Sequence, residues 1–168
     1  MNENIDLNKL PSDVKKEFMK YALKLKEKKT KSKVHDDFLT FAKHVWPEFI
    51  EGKHHKIIAE KFNRLAKGEI KRLIINMPPR HTKSEFASNL LPAWMIGRKP
   101  NLKIIQTTHT TELAVRFGRK AKTLIDSPEY QQMFKTRLRE DSQAAGKWET
   151  EQGGEYYAAG VGSAITGR

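Results

Sequence analysis

Leu73-Ile74-Ile75-Asn76-Met77-Pro78-Pro79-Arg80-His81-Thr82-Lys83-Ser84-Glu85 carries an apolar run through two prolines into a basic turn and a polar helix start. The run predicts a strand over 71–77, and Lys83-Ser84 opens the next helix. A strand that ends in a loop at a helix N-terminus is the setting of a phosphate-binding loop. The general form is G-x-x-x-x-G-K-[ST]. Met77 and Thr82 stand where its two glycines would be.

The neighbouring segments predict the layers around that loop. Val14, Phe18, Tyr21 and Leu25 fall on one helical stripe and predict a helix over 12–30, capped by Ser12 or Asp13. Nine lysines lie from Lys15 to Lys33, and 26–33 reads as a charged, mobile linker or solvated helix end. This sets a basic segment, 1–34, apart from 35–168. A second helix is expected over 35–46, ended by Pro47. A third is expected over 54–67, with Gly68 at its C-terminal cap.

After the loop, a helix from Lys83 to Ile96 contains Pro92, which should kink or shorten it. Lys103-Ile104-Ile105-Gln106-Thr107 predicts a second strand. A long helix over 111–125 should face inward with Leu113, Phe117, Ala121 and Leu124. Strand, helix, strand, helix in this order predicts parallel strands joined by crossover helices. The glycine-punctuated stretch from Trp148 through Tyr157 predicts a hairpin feeding a further strand.

Composition limits the function classes. The 168 residues suffice for one domain with a real core. No apolar run approaches the roughly 20 residues of a membrane span. The start, Met1-Asn2-Glu3-Asn4, has no secretory pattern. With no cysteine there is no disulfide, thiol catalysis or thiolate metal site, which fits a reducing compartment. The net charge of +12 points to a polyanionic partner, nucleic acid or a phosphate-rich ligand.

The loop residues divide the chemistry among them. Lys83 would place its ammonium on the β- and γ-phosphates, and the Ser84 hydroxyl would ligate Mg²⁺. Pro78 and Pro79 supply no N–H, so Arg80 and His81 would contribute through their side chains. Thr82 implies a backbone conformation that a residue other than glycine can reach. Arg80, His81 and Lys83 oppose the helix dipole unless an anion is bound, which favours a phosphate site over an ordinary turn. Glu85, a first-turn acid, suits that dipole on structural grounds alone.

The remaining candidates are weaker. His54 and His55 point in different directions and make poor joint metal ligands, so both read as surface or capping residues. No H-E-x-x-H spacing is present, and no zinc site is expected. Arg116, Arg119, Lys120 and Lys122 decorate the 111–125 helix. They would form a solvated face, or meet nucleic acid or a neighbouring subunit's nucleotide.

Taken together, these segments resemble the large terminase subunit of tailed bacteriophages, in which PPRHGKSE follows a hydrophobic strand. The similar pieces run in order through about residues 35–168. They include Phe38–Pro47, His54–Ala59, Gly68–Ile75, Leu113–Arg119, Ser127–Tyr130, Trp148–Thr150 with Gly153-Gly154, and Ala159–Arg168. The resemblance implies an α/β fold, a RecA-like P-loop ATPase with a parallel sheet between helices, preceded by N-terminal helices. It also implies a motor that couples ATP hydrolysis to translocation of double-stranded DNA into a capsid.

By the same resemblance, Pro79 through Ser84 bind ATP with Mg²⁺, Arg80 stabilises the γ-phosphate, and the His54 region contacts adenine. Arg119 becomes a finger reaching a neighbour's site in a homo-oligomer. The implied partners are a portal protein and a small terminase subunit, and the implied location is the host cytoplasm and, transiently, the procapsid portal. The family's acidic Mg²⁺-binding strand and C-terminal nuclease are expected beyond Arg168. The chain is therefore expected to be the N-terminal portion of an ATPase domain, with little or no activity of its own. Two other readings stay open: another P-loop NTPase, helicase-like or kinase-like, and a non-enzymatic basic DNA-binding module.

Overall fold

The computed structural model describes residues 11–163. Its elements are α1 (Ser12–Asp36), α2 (Phe38–Val45), α3 (Lys53–Lys67), a π-helical turn (Glu85–Leu90), α4 (Leu91–Arg98), β1 (Lys103–Thr108), α5 (Thr111–Ile125), α6 (Pro128–Met133), β2 (Leu138–Ala144), β3 (Lys147–Thr150) and β4 (Glu155–Gly160). The fold is mixed α/β, with helices before the strands and a four-stranded sheet of order β1-β4-β3-β2. β1 and β4 are parallel, and β4, β3 and β2 are antiparallel neighbours.

Helices α1, α2, α3 and α5 form close to where the periodicity predicts them, whereas α6 was not foreseen. α5 covers 111–125, and the Thr110 side chain caps it by accepting from Leu113 N–H. α3 ends at Gly68, whose φ of 79° is the left-handed cap that favours glycine. Asp37 caps α2: its carboxylate accepts from Thr40 N–H, 2.8 Å, and from Asn63 Nδ2, 2.8 Å. Asn63 Oδ1 in turn accepts from Phe38 N–H, so α3 holds the start of α2.

Several expectations are corrected. Of the two readings of 26–33, the solvated helix end holds and the linker does not, because α1 runs unbroken to Asp36. Lysine and glutamate are good helix formers, and Val34, buried at the helix end, anchors it through Trp94 Nε1, which donates to the Val34 carbonyl at 2.9 Å. Segment 71–77 is not a strand. Its exposure alternates as a strand's would, with Leu73, Ile75 and Met77 partly buried and Ile74 86% exposed. It has no ladder partner among the described residues, and hydrogen-bonded pairing is what makes an extended segment a strand. The sheet is mixed rather than parallel, because a crossover helix joins only β1 to a parallel partner, and β2–β3–β4 is a meander.

Pro92 does not break its helix. Proline cannot donate to the preceding turn, and the chain widens just before it into a π turn, with Leu91 N–H donating to the Phe86 carbonyl. Helix then continues to Arg98. The inward face of α5 is also rotated from the predicted one. Ala114, Gly118, Ala121 and Ile125 are buried, and Leu113, Phe117 and Leu124 are half-buried. The small residues let α5 lie close to the sheet.

Two aromatic groups fill the core. Phe38 meets Phe62, Phe86 and Trp94 edge to face, with centroids 4.9, 5.2 and 5.5 Å away. Under α5, Trp148 stacks on Tyr156 at 4.7 Å and donates from Nε1 to the Gly118 carbonyl. A Cβ on Gly118 would stand 2.6 Å from the Ala145 carbonyl oxygen and 2.9 Å from Tyr156 Cε1. Alanine is favoured over glycine in a helix by roughly 1 kcal/mol, but a clash with backbone should outweigh this. Gly118→Ala is therefore expected to destabilise the chain by about 1–3 kcal/mol in urea unfolding. A stabilised variant would show that α5 does not approach β4 this closely.

Candidate phosphate-binding loop

The loop joins the extended 71–77 segment to a helix that starts at Lys83. Pro78 and Pro79 stiffen its entry. Two residues inside it have left-handed backbone, Arg80 at φ 65° and Thr82 at φ 58°. The pattern G-x-x-x-x-G-K-[ST] puts its second glycine at Thr82, and that position does take the conformation glycine favours. The first left-handed residue is Arg80 rather than Met77. A β-branched residue at positive φ is strained by about 1–3 kcal/mol, and such strain persists only where neighbours hold it.

Those neighbours come from α3. Gly52 N–H donates to His55 Nδ1 at 2.8 Å, and His55 Nε2 lies 2.7 Å from Thr82 Oγ1. Thr82 Oγ1 donates to the His81 carbonyl at 2.7 Å. His55 is 5% exposed and packs against the rings of Phe49 and Phe86, at 4.7 and 5.0 Å. It is thus a capping residue of α3 and a support of the loop. The sequence signal for it was its place three residues after Gly52, at a capping-box position.

The cations converge on the loop. Lys83 Nζ donates back to the Met77 carbonyl at 3.3 Å, closing the loop on itself. Arg80 and His81 are exposed, and His81 Nδ1 donates to the Pro79 carbonyl. Ser84 is exposed at the helix start. Met77 through Glu85 line a cavity of about 500 Å³. The first N–H groups of any helix lack intrahelical partners, and this helix begins at the edge of that cavity. A second cavity, about 340 Å³, adjoins Met77 and is lined by His54, Ile57, Ile58, Lys61 and the 73–77 segment. The rings of His54 and His81 are 5.7 Å apart.

Glu85 does more than complement the dipole. It accepts from Asn89 Nδ2 at 2.7 Å and pairs with Lys120 Nζ at 2.9 Å, so α5 grips the helix that leaves the loop. Lys120 is therefore engaged structurally. Arg119 lies on the exposed face of α5, in a groove with Glu85 and Asn89, and does not line the phosphate loop. Among the described residues no group of three or more histidines and carboxylates is placed to hold a metal ion. No helix there is long and apolar enough to cross a membrane. Compared with known proteins, the chain matches no family model, no curated protein and no solved structure.

Burial lowers the His55 imidazole below its ordinary value; His54 adds to this, Glu51 opposes it, and His81 adds slightly more. Neutral His55 is also what the geometry requires, because Nδ1 accepts from Gly52. A depressed histidine takes up its proton in the unfolded chain first. Its stabilising contribution is therefore complete above about pH 6.5 and falls as pH drops below that value, by up to about 1.4 kcal/mol per unit. Thermal unfolding of wild type and His55→Phe from pH 7.5 to 5.5 should show the gap between them narrowing with acid. A constant gap would mean that His55 is not held neutral.

Proposed function

We propose that this chain carries the ATP-binding part of a DNA-translocating motor of the terminase large-subunit kind. The observation that carries it is the loop itself: Lys83 starts a helix, two left-handed residues shape the turn before it, and Arg80, His81 and Lys83 crowd a helix N-terminus where cations are unfavourable without an anion.

A triphosphate would draw Lys83 Nζ from the Met77 carbonyl onto the β- and γ-phosphates. Arg80 would neutralise the γ-phosphate, and Pro79 with His81 and Thr82 would frame the loop. The apolar cavity beside His54 would take the adenine ring between Ile57, Ile58 and the 73–77 segment. The exposed Ser84 hydroxyl fits one position of a hard-cation shell, whose other ligands would be phosphate and water oxygens. When bound, Mg²⁺ would neutralise charge building on the phosphates. Arg119, outside the loop, is suited to a neighbour's site in a homo-oligomer rather than to its own.

The +12 charge supports double-stranded DNA as the polymer moved. β1 has no partner on its outer edge, and 71–77 has none at all, among the described residues. A strand bearing the acids that activate water would pair with such an edge. The portal protein and small terminase subunit are the partners this reading implies.

Titration of the full chain with N-methylanthraniloyl-ATP and Mg²⁺ tests the assignment. Lys83→Ala deletes one charge-assisted hydrogen bond to phosphate, which should weaken Kd by roughly 10- to 100-fold. Equal affinity of wild type and Lys83→Ala, with equal melting temperatures, would remove the loop from consideration as a phosphate site.

A further inference from the structure

We infer that His55 is the positioning residue that lets a threonine stand where a phosphate loop otherwise needs its second glycine. The consequence for ligand binding rests on the phosphate-loop reading above, whereas the latch itself rests on geometry alone.

The hydrogen bonds run in one direction. Gly52 N–H can only donate, so His55 Nδ1 is the unprotonated nitrogen and Nε2 carries the proton. Nε2–H therefore donates to Thr82 Oγ1, and the Thr82 hydroxyl hydrogen goes on to the His81 carbonyl. Thr82 Oγ1 is thus held from both sides, and with it the peptide plane before Thr82 and the side chain on it. In that arrangement Thr82 stands at φ 58°. Phe49, Phe86 and His54 pack against the imidazole, with ring centroids 4.7, 5.0 and 3.8 Å away, and restrict its movement away from the hydroxyl.

In a glycine-containing loop the backbone reaches positive φ with no side-chain help. Here the side chain that makes positive φ unfavourable also carries the hydroxyl that secures it. Released from His55, Thr82 would relax toward negative φ, and the N–H groups at 82–84 would turn from the point where Lys83 and the helix start converge. His55 itself need touch no phosphate; it acts through Thr82.

The test is a double-mutant cycle in the full chain. His55→Phe keeps the ring packing and removes both hydrogen bonds, Thr82→Gly removes the need for the latch, and His55→Gln offers an amide N–H near Nε2. For N-methylanthraniloyl-ATP with Mg²⁺, His55→Phe should weaken binding about tenfold in the Thr82 background and less than about twofold in the Thr82→Gly background. His55→Gln should recover most of the affinity. In thermal unfolding without nucleotide, His55→Phe should lower Tm by about 3 °C more beside Thr82 than beside Thr82→Gly. A purely structural role for His55 predicts the same effect in both backgrounds, and that result, or no effect in either, overturns the latch. A wild type that binds the analogue no better than Lys83→Ala defeats the phosphate-loop reading alone, and the Tm cycle then decides the latch without it.

Discussion

Phe38 and Phe86 meet edge to face with ring centroids 5.2 Å apart, and the placement of the loop depends on that contact. Phe86 lies in the first turn after Ser84, so its burial fixes where the helix leaves the loop. Phe38 in turn is fixed by Asn63, Phe62 and Trp94, which tie α2 to α3 and α4. Aromatic pairs of this geometry add about 0.5–1.5 kcal/mol beyond the area they bury. The value for function is positional: α3, which supplies His55, and the helix start, which supplies Lys83, are locked to the same ring cluster.

The loop combines two unfavourable features. Cations gather at a helix N-terminus, and two residues other than glycine hold positive φ. The surroundings hold both in place, with His55 on Thr82, Lys83 on the Met77 carbonyl and Lys120 on Glu85. Strain that is over-determined in this way is what supports the proposal that the loop is pre-organised for a ligand.

Much of the helical part was legible in the sequence, because a helix is local. Its period, its caps and its breakers sit within a few residues of one another, as at Thr110 and Gly68. The strands depend on residues far away. Segment 71–77 has a strand's alternation but no ladder partner among the described residues, and no local pattern can reveal a missing ladder. The rotated face of α5 failed for a related reason: Leu113 and Phe117 are the more hydrophobic, yet Gly118 and Ala121 face the sheet because close approach selects size over hydrophobicity. At the site, Lys83 and Ser84 were visible as a motif. His55 was visible only as a cap, since its second bond spans 27 residues and required the fold.

That division explains why the loop could look degenerate and still be well formed. A motif in sequence records the residues whose backbone must be free, and glycine is the local answer to a left-handed turn. A bond from elsewhere in the fold is a non-local answer to the same constraint. Thr82 has no glycine's freedom, but its hydroxyl lies between the His55 Nε2–H and the His81 carbonyl, and both act on one rotamer. Motif and tertiary contact are then alternatives, and a chain that gives up the first must keep the second. The left-handed turn at Thr82 thus binds α3 to the loop more tightly than a glycine there would, because with glycine His55 would have no hydroxyl to hold.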